Sequence, residues 1–437
     1  MIDFKKILSQ TIEQARADKA YTALYVGGVA LSIATVLIFA VIYYVKIAAI
    51  YPESNRSRTL YLDLVKCVKS DSTSLAMANL SYRALDEWIY QIQNVEAVSA
   101  KRDATITVGA NGSTRMHDAT VQFVDPAFFK IYDLEFIAGK PFSSADFKSG
   151  RKVAVITDRF ARKLFGSVDD ILGREFGKEN NQYTVVGVVR QPSRLTRASF
   201  GEAYMPYTST SSYDNPGWNQ DAPYIGGGYG ALFLVRDSRQ EEALRGEMAE
   251  FIRKYNASDD HWHIDILNQP RTHLISVLQR YPGSDFSFAD VLRDNLLVLL
   301  ALLLVPAINI SAMIAGRMDS RISEMGIRKA FGARRSRLLS QVMWENLLFT
   351  VAGGIMGLVM AWLVLYCCRT WVFDLLLSAN EIVNDTSTIT VTGEMIFAPV
   401  VFVIALLLCI ILNMLSALIP AWRSLRHPIV SSINEKR

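Results

Sequence analysis

Four apolar stretches, Tyr21 to Val45, Asn295 to Gly316, Asn346 to Cys368 and Met395 to Ile419, constrain this chain more than any other feature of its sequence. A bilayer core of roughly 30 Å is crossed by about 20 apolar residues in helical form, and each stretch reaches that length. The first is not a cleavable signal. Its apolar run is too long, and Gly27, Gly28 and Ala30 lead into further apolar residues instead of a polar cleavage region. The 437 residues are 51% hydrophobic yet 20% charged, so spanning helices must be joined to something polar. That part is Pro52 to Asp290.

Lys and Arg in short loops set the orientation. Lys5, Lys6, Arg16 and Lys19 precede the first span, and Arg317, Arg321, Arg328, Lys329, Arg334, Arg335 and Arg337 follow the second. Arg423, Arg426, Lys436 and Arg437 follow the fourth, whereas the loop after the third holds Arg369 among Asp374, Glu381, Asp385 and Glu394. Both termini are therefore expected in the cytoplasm and Pro52 to Asp290 outside. The expected fold class is an all-α four-helix transmembrane part plus a large α/β (α+β) extracytoplasmic domain inserted between spans 1 and 2. The expected boundaries are a cytoplasmic amphipathic helix at 1–20, spans at 21–51, 291–316, 341–368 and 395–420, the outer domain at 52–290, a cytoplasmic helical segment at 317–340, an outer loop at 369–394 and a tail at 421–437. Phe4, Ile7, Leu8, Ile12 and Ala15 share one helical face opposite Lys5, Lys6 and Arg16, which suits a helix lying along the inner membrane surface. The net charge of +4 carries no long basic run outside one loop, so nucleic acid is not an expected partner. Of four cysteines only Cys67 falls in the polar region, which excludes a disulfide framework there.

In the outer domain, alternation predicts a strand at Thr59 to Lys66, helical spacing at Ser81 to Gln93 and extended chain at Val95 to Val108. A second strand, helix, strand unit is read at Ala231 to Arg236, Gln240 to Tyr255 and Trp262 to Asn268. Two such units pack as a split βαβ layer. Between them, Asp125 to about Gly230 reads as an inserted subdomain, with strands at Val153 to Ile156 and Tyr183 to Arg190 and a helix at Asp158 to Phe165. The loop ending this region interleaves Gly226, Gly227 and Gly228 with Trp218, Tyr224 and Tyr229, a composition that suits either a ligand-contact loop or an ordinary connector. Strand alternation places His261, His263 and Asp265 on one face; without thiolates or a further carboxylate this is a weak metal set, and none is assigned.

The segment Arg317 to Gly332 reads RMDSRISEMGIRKAFG and carries apolar Met318, Ile322 and Met325 at helical spacing, with Arg321, Arg328 and Lys329 on other faces. Gly332 permits a tight break before a second helix runs into the third span. Such a helix is either a lever tied to two spans or an anchor on anionic lipid. Gly353 and Gly357 allow close approach of another helix, within the subunit or across a dimer, and Pro306 suits a hinge or a static bend.

Glu324, Gly326, Ile327, Arg328, Lys329, Ala330, Gly332 and Ala333 follow the pattern E-x-G-[IV]-[RK]-[RK]-A-x-G-A, with Glu345 beyond it as span three begins. In this the chain resembles the MacB/FtsX family of ABC transporter permeases, as it does at Pro420 to Arg423, Val124 to Phe142 and Val153 to Gly166. The resemblance implies that Arg321 and Glu324 to Ala333 form a coupling helix docked on a cytoplasmic ABC ATPase. It also implies that a second permease chain, identical or different, completes a dimer in a bacterial inner membrane, and that movement is transmitted to a MacB-like periplasmic domain and any periplasmic or outer-membrane partner. The sequence has no G-x-x-x-x-G-K-[ST] phosphate loop, so ATP hydrolysis is expected on a separate subunit, with ATP and Mg bound there and no cofactor here. No ionisable residue at the centre of a span offers an ion relay, and no nucleophile with a base offers catalysis outside, so an enzyme is not expected. The alternative is a membrane-tethered sensor whose outer domain binds a ligand without any ATPase.

Overall fold

The computed structural model describes residues 4–71, 74–179, 181–214, 225–279, 287–290, 293, 296–297, 327–328, 330–374, 393–396 and 399–424. They fall into two compact units, Lys46–Ser287 and the segments flanking it.

In the flanking unit, three helices among the described residues are long and apolar enough to cross a membrane. They are Lys19–Ile47, Arg335–Cys367 and Pro399–Leu418, the last belonging to a helix that continues to Ser424. They contain the expected first stretch and overlap most of the expected third and fourth. A helix at Phe4–Ala17 precedes the first. Within the fourth stretch the described residues are helical at Gly393–Ile396 and again from Pro399. The second stretch and Pro306 lie outside the described residues, apart from Leu296 and Leu297, which are helical.

The other unit is built on fourteen strands: β1 (Thr59–Leu62), β2 (Val65–Lys69), β3 (Leu75–Leu80), β4 (Ala97–Ala110), β5 (His117–Val124), β6 (Phe136–Gly139), β7 (Val153–Thr157), β8 (Glu175–Lys178), β9 (Asn181–Val189), β10 (Ala203–Pro206), β11 (Gly226–Gly227), β12 (Gly230–Leu234), β13 (Trp262–Asp265) and β14 (Arg271–Thr272). A ten-stranded sheet runs β14-β1-β12-β4-β5-β10-β7-β9-β6, with β8 pairing β4 and β9, and a four-stranded sheet runs β11-β3-β2-β13. The two expected strand–helix–strand units do not share one layer: β12 lies between β1 and β4 in the large sheet, but β13 pairs with β2 in the small one. The segment expected as an inserted subdomain forms no sheet of its own. Its strands β10, β7, β9 and β6 extend the same sheet past β5, where β10 pairs in parallel from Ala203 opposite Val121 to Pro206 opposite Val124, while β11 joins the small sheet. Buried on every residue, β7 lies between β10 and β9, as an interior strand covered on both faces requires.

Local chemistry explains where expectation and structure part. Thr59 to Lys66 is not one strand, because at Asp63 and Leu64 the chain leaves the large sheet for the small one. The two N–H groups freed there donate to the Gln269 side-chain oxygen at 2.8 and 3.4 Å. Ser81 to Gln93 is not one helix. Tyr82–Glu87 starts on the Ser81 cap, then Trp88 leaves helical geometry and a 3-10 turn follows at Ile89–Gln91, with Trp88 stacked on Phe251 at 4.4 Å. Strand β13 stops at Asp265 because Leu267 and Asn268 take φ of 54° and 60°. The helix Asp158–Phe165 has the expected limits: Thr157 caps its start by accepting from the Phe160 N–H, and Gly166 at φ 78° closes its end.

Candidate coupling site

The break expected at Gly332 is present. Gly332 takes φ 87°, and the Ala333 N–H donates to the Arg328 carbonyl at 3.0 Å, the six-to-one closure of a helix end over a left-handed glycine. Arg334 is extended and the helix Arg335–Cys367 follows at once. Ala330, Phe331 and Gly332 are exposed, Phe331 at 89%, and Ile327 is half exposed. Arg328 instead donates from Nη1 to the Gln341 side-chain oxygen at 3.1 Å, and Gln341 donates to Glu345 Oε1 at 3.3 Å. Glu345 is buried. Arg321, Glu324, Gly326 and Lys329 lie outside the described residues.

Past Glu345 the helix carries polar groups that the sequence reading missed. The Tyr25 hydroxyl donates to the Asn346 side-chain oxygen, joining helix Lys19–Ile47 to helix Arg335–Cys367. Asn346 Nδ2 lies 3.6 Å from Met414 Sδ, and Asn413 donates to the Thr350 hydroxyl at 3.1 Å, joining the helix Pro399–Ser424. Asn346, Thr350 and Asn413 are buried, where an unpaired amide or hydroxyl would cost a few kcal/mol, on the order of 1–3. Paired across helices, they fix which faces meet. The signal was available: Gln341 and Glu345, then Asn346 and Thr350, are polar pairs four apart in an otherwise apolar run.

One step further along, a Cβ on Gly353 would sit 2.7 Å from Val29 Cγ1, and one on Gly357 would sit 2.6 Å from the Ala30 carbonyl. Both glycines are therefore used in packing against Lys19–Ile47 of the same chain.

The outer-domain candidates are placed differently from expectation. Trp218 and Tyr224 lie outside the described residues. Gly227 belongs to β11, where a Cβ would meet Ser81 Cα at 2.4 Å, so close strand approach accounts for it. Tyr229 is a core residue, buried, donating to the Tyr213 carbonyl at 2.8 Å and lying under the Arg102 guanidinium. His263 and Asp265 are exposed on β13, and among the described residues no three His, Cys, Asp or Glu side chains group as a metal site.

Apolar spanning helices knit by buried polar contacts, together with a large α/β domain, define a polytopic membrane protein. Residues 22–251 match the MacB-like periplasmic core domain and residues 296–429 the FtsX-like permease C-terminal region. The chain belongs to the MacB/FtsX family of ABC permeases. It is similar to the ABC transporter permease YknZ of Bacillus subtilis (strain 168), 21% identical over 277 residues that cover 61% of this chain and 63% of that one. It is also similar to a probable syringafactin export ATP-binding/permease protein, SyfD, of Pseudomonas syringae pv. syringae (strain B728a), 24% identical over 315 residues covering 70% of this chain and 45% of that one. The chain thus spans less than two thirds of these curated relatives. A solved extracellular domain of YknZ from Gram-positive bacteria aligns over 46% of this chain and 100% of its own length, at 16% identity and a TM-score of 0.33.

Proposed function

We propose that this permease takes conformational change from an ABC ATPase on a separate polypeptide and passes it to its extracytoplasmic domain. In this reading four spans hold both termini in the cytoplasm of a bacterium, residues 317–340 dock on the ATPase, and a second permease chain completes the complex. The observation that carries it is the turn at Gly332. It lies within the FtsX-like region, presents Phe331 outward, and is hydrogen-bonded to the spanning helix that follows it. A turn held in that way moves with its helix. Export is named for the Pseudomonas relative; for this chain we assign export or release of a substrate, or control of an envelope partner.

The test is recovery of partners by the tagged chain in nanodiscs, with and without ATP, repeated with Gly332→Val. A β-branched residue at φ 87° is strained by about 1–2 kcal/mol or more, enough to open the turn without touching the outer domain. Capture of an ATP-hydrolysing subunit that the substitution loses supports the reading. Capture of none by a folded chain overturns it and favours the tethered sensor.

A further inference from the structure

We propose that Arg328 is an internal strut fastening the turn to the spanning bundle, and not a cation offered to the ATPase. The inference rests on the reading above for the direction in which movement travels, but the strut is a property of this chain alone. Arg328 is gripped twice. Its carbonyl accepts the Ala333 N–H that closes the turn, and its guanidinium donates to Gln341. Gln341 relays the contact, accepting with one amide atom and donating with the other to Glu345, one helical turn further in.

Glu345 is 3% exposed and adjoins Asn346, which takes the Tyr25 hydroxyl of helix Lys19–Ile47. The relay therefore ends where polar contacts between spanning helices begin. A guanidinium intended for a partner would stand in solvent. Here the outward groups of the turn are Ile327 and Phe331, 50% and 89% exposed, while Arg328 is half-buried and bonded to the helix that follows the turn. Docking then falls to an apolar tip flanked by exposed Arg334, Arg335 and Arg337, and Arg328 positions that tip.

Two measurements test this, one for each dependence. In nanodiscs holding the chain alone, Arg328→Ala and Gln341→Leu each lower the unfolding midpoint by roughly 2–4 °C, and the double variant by less than the sum of the two, since both cut the Arg328–Gln341 contact. Additive losses would overturn the strut. With the ATP-hydrolysing subunit present, Arg328→Ala still recovers it while the ATP-dependent change in hydrogen exchange of helix Lys19–Ile47 disappears, and Arg328→Lys restores part of that change. Phe331→Ala loses the subunit itself. Loss of recovery with Arg328→Ala as complete as with Phe331→Ala would make Arg328 a docking residue and end the proposal. Failure of the unmodified chain to recover any such subunit would remove the functional reading, and the cycle in the chain alone would still decide the strut.

Discussion

The Nε2–H of His273 donates to the carbonyl oxygen of Lys46 at 2.9 Å. A carbonyl can only accept, so Nε2 carries the proton and Nδ1 is left to accept from the Tyr61 hydroxyl, at 3.5 Å. Beside it, Arg56 donates to the Ala48 carbonyl at 2.6 Å and pairs with Glu53 at 2.7 Å, and Glu53 accepts the Ser199 N–H and hydroxyl at 3.0 and 2.8 Å. Residues that begin the outer unit are thereby held by residues from its interior and its end.

Acidification should loosen this cluster. Burial holds the His273 imidazole below its ordinary 6.5, and the Arg56 charge adds to the effect against smaller opposition from the Lys46 carbonyl and Glu53. Unfolded chain therefore binds the proton more readily than folded chain. The stability His273 contributes is complete above pH 6.5 and is lost as pH falls through its lowered folded value. The unfolding midpoint in nanodiscs, followed between about pH 5 and 8, should fall on the acid side, and His273→Gln should flatten that limb. An unchanged limb would assign it to another group.

The Glu53–Arg56 pair is buried at 1% and 3% exposure. Glu53→Leu removes the carboxylate that pairs with the Arg56 guanidinium and accepts both Ser199 donors, and should cost about 3–5 kcal/mol. The double change Glu53→Leu with Arg56→Met removes both charges and should recover most of that loss. Denaturant unfolding of the three variants measures it, and a double variant worse than Glu53→Leu would contradict the account.

Two glycine substitutions should move stability in opposite directions. Gly357→Ala drives a methyl into the Ala30 carbonyl and should separate two spanning helices at a cost of about 1–3 kcal/mol. Gly246→Ala, inside helix Ser238–Ser258 with nothing within 4 Å of the added carbon, should stabilise by about 0.5–1 kcal/mol. Thermal unfolding in the same nanodisc preparation compares them.

The Tyr90 hydroxyl donates to the buried Asp125 carboxylate at 2.6 Å and touches the Tyr207 hydroxyl at 2.8 Å. Asp125 also accepts the Ala100 N–H at 2.7 Å and the Ala127 N–H at 2.9 Å, while burial pushes its carboxyl above the usual range. Tyr90→Phe removes one donor from a carboxylate already short of water and should destabilise by about 1–3 kcal/mol. Retained stability in denaturant unfolding would show that the backbone N–H groups of Ala100, Ala127 and Phe128 suffice.

What the sequence disclosed depended on where the partner of each residue lay. The helix Asp158–Phe165 was legible because its cap, Thr157, and its closing glycine, Gly166, adjoin it. Three spanning helices were legible because length and apolarity are local. The break between β1 and β2 was not, since the side chain that satisfies Asp63 and Leu64 is Gln269, about 205 positions away. At the coupling site, Gly332 was visible as a break, but the bond from Arg328 to Gln341 across that break was not, because Gln341 is neutral. Gly353 and Gly357 announced close approach without saying to what; Val29 and Ala30 answer that only in three dimensions.

The chain begins the large sheet on β1 and finishes it on β14, and these are antiparallel neighbours, with Leu60 opposite Thr272 and Tyr61 opposite Arg271. Both connections consequently leave from the same end of adjacent strands. Tension that spreads the two connections would unzip this short pairing rung by rung, whereas a tug shared by both loads every strand behind it together. The His273–Lys46 and Arg56–Ala48 contacts stand where such unzipping would start, like rivets at the mouth of a seam. A domain anchored in this manner travels whole when its two tethers move in step and opens when they diverge.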